Sequence, residues 1–244
     1  MTKSKSLTLP FLRRKKVAKN TYSFYFDRSK TNFDFLPGQY VRMTLPHINP
    51  DDRGTSRYFT IASSPLQKDI LMLTVRIYDS SFKKALHDLR PGDVGSFFGP
   101  MGWFLLPKDE PFDKVFIAGG IGITPFHSLL HFFADKKLDN SLTLFASFPT
   151  REEVVFYDAL DEINKKHKKI NVIYTLTGEK NIPKEWMGEV GRISKQMLQK
   201  YIPDLHKPIF YVVGSPKMVA GVSKSLLKFG VPEEHIQTED FTGY

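Results

Sequence analysis

The feature that most limits what this chain can fold into is a change of texture at residues 106–112, LPKDEPF. Upstream, short runs dense in β-formers follow one another. Residues 17–26 are rich in aromatics, 40–45 alternate, and 70–78 read ILMLTVRIY. Turn signals separate them at Pro37-Gly38, Asp51-Asp52-Arg53-Gly54, Pro91-Gly92-Asp93 and Gly99-Pro100. One short helix is predicted over 82–89, between a Ser-Ser start and a Pro-Gly stop. Closely spaced strands with a single helix predict a small antiparallel β-barrel. Downstream, predicted strands (114–118, 141–146, 170–175, 209–213) are interleaved with predicted helices (125–137, 152–166, 216–229). That order predicts an α/β domain with a doubly wound parallel sheet and right-handed crossovers. The two prolines of LPKDEPF, with no periodicity, set the expected boundary: domains 1–108 and 109–244.

Cysteine is absent, so disulfides, thiol catalysis and a cysteine-ligated iron–sulfur cluster are impossible within this sequence. Any electron chemistry then needs an organic cofactor. No metal site is expected: His127 and His131 lie four apart on a predicted helix, but no glutamate base or third ligand accompanies them. No apolar run reaches the ~18 residues of a membrane span, and the charged N-terminus carries no signal-like apolar stretch. The expectation is a cytoplasmic protein without a membrane span. The formal charge of +9 includes the runs Arg13-Arg14-Lys15-Lys16 and Lys165-Lys166-His167-Lys168-Lys169. Neither is interleaved with the aromatics that stack single-stranded bases, so nucleic acid is not an expected partner. A solvated basic face also suits an acidic redox partner or a polyphosphate cofactor.

Three places concentrate chemistry. In 115–125, VFIAGGIGITP, an apolar strand runs into a glycine turn and a helix opens after it. Glycines permit close backbone approach, and a helix start offers N–H groups and a positive dipole end to a pyrophosphate. Pro125 in the first helical turn costs nothing there. A tight strand–helix turn without ligand explains the same residues equally well. A second strand, 209–213, runs into Gly214-Ser215-Pro216-Lys217-Met218. Two glycine-bearing strand ends in one parallel sheet would face one crevice. In the barrel, strand alternation puts Arg57 and Phe59 on one face and Tyr58 and Thr60 on the other. Ser80-Ser81-Phe82-Lys83-Lys84 opens the helix with hydroxyls, N–H groups and lysines, which fits either an anion site or a plain serine cap.

The segments 36–40 (LPGQY), 57–60 (RYFT), 99–104 (GPMGWF), 118–125 and 214–218 (GSPKM) occur in the order and approximate spacing of the ferredoxin–NADP reductase superfamily, which the chain resembles from about Leu9 onward. The likeness is to bacterial members without an iron–sulfur domain. It implies a flavoenzyme that binds FAD in the barrel and NADH or NADPH in the α/β domain and passes a hydride between them, then electrons to an unidentified acceptor. By the resemblance, Arg57 neutralises the FAD pyrophosphate, Phe59 packs beside the flavin with Tyr58 nearby, and Thr60 hydrogen-bonds the flavin ring. Phe59 replaces the family's tyrosine, so its phenol hydrogen bond is lost; Thr60 for serine keeps the hydroxyl. Ser81 and the N–H groups of Phe82 and Lys83 resemble the second pyrophosphate contact. Gly119, Gly120, Gly122, Thr124 and Pro125 match the dinucleotide loop, and Gly214, Pro216 and Met218 the loop beside the nicotinamide. At the C-terminus, EDFTGY, Phe241 is the first candidate to cover the flavin and Tyr244 the second, while Glu239 is a candidate for adjusting charge or moving protons.

The choice between the two nicotinamides turns on one basic residue. Arg151 is placed to take a 2′-phosphate, but Glu152 and Glu153 beside it oppose that, and Thr177-Gly178-Glu179-Lys180 lacks the serine–arginine pair of NADPH-specific relatives. NADH is the expected partner. Two other functions fit the same residues: a reductase subunit feeding a separate oxygenase, ferredoxin, haem protein or other redox protein, and a non-catalytic flavin- or nucleotide-binding regulatory module.

Overall fold

The computed structural model describes residues 3–102, 113–136 and 141–241. Its contacts divide the chain into two units, one up to residue 105 together with 127–132, the other made of the remainder. Trp103, Phe104, the LPKDEPF linker and Tyr244 lie outside the described residues.

The first unit is an antiparallel six-stranded barrel. Its elements are β1 (Lys5–Ala18), β2 (Thr21–Asp27), β3 (Tyr40–Thr44), β4 (Ser56–Thr60), β5 (Ile70–Arg76), α1 (Ser81–Asp88) and β6 (Val94–Met101). The strand order is β4-β3-β6-β1-β2-β5, and an Ile61↔Leu73 bridge joins the two ends of the sheet. Period-two alternation turns Leu9, Phe11, Phe24, Phe26, Val41 and Phe97 inward, and α1 adds Phe82 and Leu86 to the same core. Each such side chain contributes ~2–3 kcal/mol of burial.

Two expectations for this unit are corrected. The strand expected over 17–26 is a hairpin: β1 begins at Lys5, and the chain reverses at Lys19-Asn20, where Asn20 adopts φ +51°. Leu7, Leu9 and Phe11 carried the alternation, but the denser aromatics downstream masked it. Past a register shift after Phe11, β1 pairs with β2 alone, so Arg13 to Lys16 extend along an exposed strand. Gly99-Pro100 is not a turn but lies inside β6, with a cis peptide bond. There the β3–β6 register shifts between Tyr40 and Arg42, and a proline at such a bulge removes no ladder bond.

The second unit comprises β7 (Lys114–Gly119), the two ends of α2 (Thr124–Lys136), β8 (Leu142–Phe148), α3 (Tyr157–Lys166), β9 (Ile170–Leu176), β10 (Glu189–Val190), α4 (Lys195–Tyr201), β11 (Ile209–Gly214), α5 (Pro216–Phe229) and β12 (Ile236–Asp240). The strands form one parallel sheet in the order β10-β9-β8-β7-β11-β12. One face, with Val115, Ile117, Phe210 and Val212, packs against Met197 and Leu198 of α4 and Val219 and Leu226 of α5. On the other, Phe116 stacks on Phe126 of α2 at 4.8 Å and meets Tyr211 at 5.6 Å. Strands buried on both faces explain why they read as continuous apolar runs. The order reverses between β7 and β11, which is the topological switch point where such sheets open a crevice.

The helix expected from residue 152 starts at 157. Arg151–Glu153 form a single 3-10 turn, and Phe156 precedes α3 in the left-handed conformation at φ +63°. Val154, Val155 and Phe156 are buried and belong to the core rather than to a helix face.

Candidate functional site

Around β4 and α1 the expected cofactor residues of the barrel come together. Arg57 and Phe59, alternate residues of one strand, both lie on the Phe82 ring, at 5.3 Å from guanidinium to centroid and 5.8 Å between rings. Phe82 itself is wholly buried, so its side chain is core and only its backbone N–H remains for a ligand. Tyr58 is 63% exposed, and it meets Tyr40 edge-on at 5.9 Å. Tyr40 pairs with Thr60 across the ladder, and its ring occupies the space a Gly102 Cβ would need, 2.7 Å away. Gln39 ties this face together: its side-chain oxygen accepts from the Leu36 N–H at 2.8 Å and its amide donates to the Gly102 carbonyl at 3.4 Å. Two of the segments that carry the family resemblance are thus joined by one buried amide.

The start of α1 is strongly cationic. Ser81, Phe82 and Lys83 occupy its first turn, where the helix supplies no acceptor for their N–H groups. The Lys83 ammonium is pushed down to about 8, first by burial and then by the charges of Arg53, Arg57 and Arg76. Burial opposes ionisation of Asp51, but hydrogen bonds from Arg57, Ser80 and Ser81 and the Arg57 charge overcome it and hold that carboxyl at about 2. The Arg57 Nε is buried with no hydrogen-bond partner among the described residues. Clustered cations, hydroxyls and a helix start fit a diphosphate, so these residues suit the anionic middle of FAD. Sequence reasoning missed His47 and Asp51 at this place. Asp51 was legible only as part of a turn, and nothing marks His47 in one dimension.

At the switch point of the second unit a different set converges. Ala118 pairs with Val213, so Gly119 and Gly214 close two neighbouring strands. Sequence reasoning gave these glycines to a ligand; the structure gives them first to internal contacts. A Cβ on Gly119 would stand 3.0 Å from the Met218 Sδ, one on Gly214 2.8 Å from the same sulfur, and one on Gly122 2.6 Å from the Val213 carbonyl oxygen. Gly120 adopts φ +55°, which opens the 3-10 turn leading into α2. Thr124 donates its hydroxyl to the Ile121 carbonyl at 3.1 Å, and Pro125 is the second residue of α2. Pro216 opens α5 after the Ser215 cap. β12, which sequence reasoning did not foresee, lays Glu239 beside Val213 and Asp240 beside Gly214. The Phe241 N–H then donates to the Gly214 carbonyl at 2.9 Å. Burial pushes the Glu239 carboxyl up to about 7, and its Oε2 has no hydrogen-bond partner among the described residues.

Two further expectations meet their surroundings. Arg151 lies over the Tyr157 ring at 4.1 Å and 5.8 Å from that of Trp186, and its N–H donates to Glu179 at 2.8 Å. His127 is buried in the first unit, with Nδ1 bonded to the Ala62 carbonyl at 2.7 Å, and burial above all drives its pKa down to about 3. Among the described residues no group of three or more potential ligands gathers around a metal position.

The residues and topology define a two-module oxidoreductase, and comparison with known proteins agrees. The family model for the oxidoreductase FAD-binding domain matches residues 8–105, and that for the oxidoreductase NAD-binding domain matches 116–224. NADH-cytochrome b5 reductase 2 of Debaryomyces hansenii is 31% identical over 215 residues, covering 84% of this chain and 70% of the relative. The glycine betaine monooxygenase reductase subunit of Chromohalobacter salexigens is 30% identical over 227 residues, covering 91% of this chain and 60% of that one. Among solved structures, the Amycolatopsis cytochrome P450 reductase GcoB superposes with a TM-score of 0.86 at 20% identity, over 100% of this chain and 72% of that one. The chain belongs to the ferredoxin–NADP reductase superfamily of FAD- and nicotinamide-binding oxidoreductases. It is an NAD(P)H-dependent flavin-containing reductase.

Proposed function

We propose that this protein takes a hydride from NADH and delivers the electrons singly to a partner redox protein. The observation that carries the reading is the convergence of Gly119, Gly214, Glu239 and Phe241 at the C-terminal ends of β7, β11 and β12. FAD, when bound, supplies the hydride acceptor and the store of two electrons. Arg57, Ser81 and the first N–H groups of α1 hold its diphosphate, and Tyr58, Phe59 and Thr60 line its ring system. The backbone between Gly119 and Thr124 receives the nicotinamide diphosphate. Gly214, Pro216 and Met218 would flank the nicotinamide, with Phe241 held beside them at the Gly214 carbonyl. Glu239 holds a proton near neutral pH and releases it as local charge changes.

NADH is favoured over NADPH because Arg151, the one basic side chain expected to meet a 2′-phosphate, is engaged by two aromatic rings and has Glu179 at its backbone. A protein acceptor is supported by the relatives named for cytochrome b5 and for a monooxygenase, which suit this chain's net charge of +9 if the partner is acidic. The test is anaerobic stopped-flow mixing with each nicotinamide, followed by a panel of cytochrome, ferredoxin, oxygenase and quinone acceptors. Bleaching of the flavin by NADH at least ~10-fold more efficiently than by NADPH is expected. A flavin that neither nicotinamide bleaches would leave only the binding-module reading. Arg57→Ala is expected to emerge from purification without its flavin, measured as the 450 nm to 280 nm absorbance ratio; full flavin content would refute the role given to Arg57.

A further inference from the structure

The cradle at α1 already holds an anion, and the anion belongs to the chain. Asp51 lies in the loop between β3 and β4, and its carboxylate accepts hydrogen bonds from the Arg57 guanidinium, from the Ser80 hydroxyl at 3.1 Å and from the Arg53 N–H at 3.2 Å. The Asp51 N–H donates to Ser81 Oγ at 2.8 Å. The second arm of Arg57 is folded onto the same loop, donating to the carbonyls of Arg53, Gly54 and Ser56, each at 2.8 Å. The Arg57 side chain is left only 10% exposed. Ser81 is equally committed. His47 Nδ1 lies 2.8 Å from the Leu45 carbonyl, which can only accept, so Nδ1 is the donor. Its Nε2 lies 3.0 Å from Ser81 Oγ. Both side chains assigned to the cofactor diphosphate are thus occupied by loop 51–56 and His47.

We propose that the Asp51 carboxylate occupies the seat of a cofactor phosphate, so that FAD binding is an exchange of one anion for another and Asp51 sets how tightly the flavin is held. The inference rests on the reading of Arg57 and Ser81 as the FAD diphosphate site. The chemistry of the seat supports it. A carboxylate in contact with a guanidinium and a hydroxyl presents the same acceptor geometry as two oxygens of a phosphate. Two anions on one guanidinium repel each other, which favours the release of one as the other binds. Against burial, the same donors and the Arg57 charge hold the Asp51 carboxyl below its ordinary range, the direction expected of a seat that favours an anion. Gly54, at φ +67° with open space where a Cβ would be, gives the loop a residue that can change conformation as Asp51 withdraws.

The test is the FAD dissociation constant of the as-purified flavoprotein, read as the recovery of free-flavin fluorescence on stepwise dilution. Wild type is compared with Asp51→Asn, Asp51→Ala and the neighbouring control Asp52→Asn, each verified as folded by its thermal melt. Removing the resident anion is expected to tighten FAD binding about tenfold or more in both Asp51 variants, with Asp52→Asn within about twofold of wild type. Asp51 variants that hold FAD no more tightly than wild type would overturn the proposal, as would an equal gain in Asp52→Asn, which would mean general electrostatics. Should neither Asp51 variant fold, trypsin cleavage after Arg53 in wild type decides: faster cutting with FAD bound than after flavin removal supports the exchange, and equal rates overturn it. A wild-type protein that binds no FAD at any concentration would instead defeat the cofactor reading on which the proposal stands.

Discussion

Arg28 shows how much a single side chain can organise. It is 1% exposed, and its guanidinium donates to the carbonyls of Phe33, of Ile70 at 3.1 Å, of Pro65 at 3.2 Å and of Gln67 at 2.7 Å, while lying 5.1 Å from the Phe35 ring. Burial lowers its pKa, and the charges of Asp34 and Asp69 oppose that. A guanidinium satisfied by carbonyls is a stitch between loops. Arg28→Met keeps the volume but takes the donor from two buried carbonyls, of Phe33 and Pro65, and from two part-buried ones, for an expected loss of ~3–5 kcal/mol and a calorimetric Tm lower by roughly 10 °C, with Arg28→Lys intermediate. Glu239 provides the opposite case. Its folded pKa of about 7 lies above the unfolded value, so the native state keeps a proton that the unfolded chain gives up. Stability is therefore lost as pH rises from ~4.3 to about 7 and is constant beyond. Glu239→Gln removes that loss: the variant is expected to be more stable than wild type by ~2–3 kcal/mol at pH 8, and equal to it near pH 4, in urea melts across pH.

Among elements, the junction of β7, β11 and α5 is the most demanding. A methyl on Gly122 would meet the Val213 carbonyl at 2.6 Å, backbone that cannot step aside without moving β11. Gly122→Ala is expected to raise the KM for NADH by about tenfold or more while leaving flavin content unchanged, measured by steady-state kinetics and the visible spectrum. How far such elements can be read from sequence depends on whether their signals are local. α5 is fully marked, with Pro216 at its first position and Gly230 past its end at φ +94°, and its expected span of 216–229 agrees with the structure. The four longer parallel strands announce themselves as apolar runs. β12 does not: four of the five residues of Ile236–Asp240 are polar, and it becomes a strand because β11 offers it an edge. α4 has a serine cap, Ser194 accepting from the Met197 N–H at 3.2 Å, in a stretch with little else to mark it. The site divides in the same way. Glycine turns and RYFT are contiguous in the chain, whereas Asp51, His47 and Tyr40 reach their places only through the barrel.

For the molecule as a whole, charge makes a testable statement. The formal +9 includes Arg13 to Lys16 exposed along β1, with Arg13 over the Tyr25 ring at 3.7 Å. With an acidic protein acceptor, kcat/KM is expected to fall about tenfold between ~20 mM and ~200 mM salt, while turnover with a neutral quinone stays flat. An equal response from both acceptors would show that the protein does not steer its partner by charge. Sheet order carries a different consequence, one of timing. Lys114 of β7 finds its β11 neighbour at Ile209, so a chain emerging from the ribosome completes β7, β8 and β9 long before the strand that must cover the open side of β7 exists. Until then an apolar edge stands bare, and a nascent chain stalled in that interval is a candidate for chaperone capture or misassembly. The crevice proposed for the dinucleotide is among the last things this polypeptide makes, whatever the speed at which its barrel has already closed.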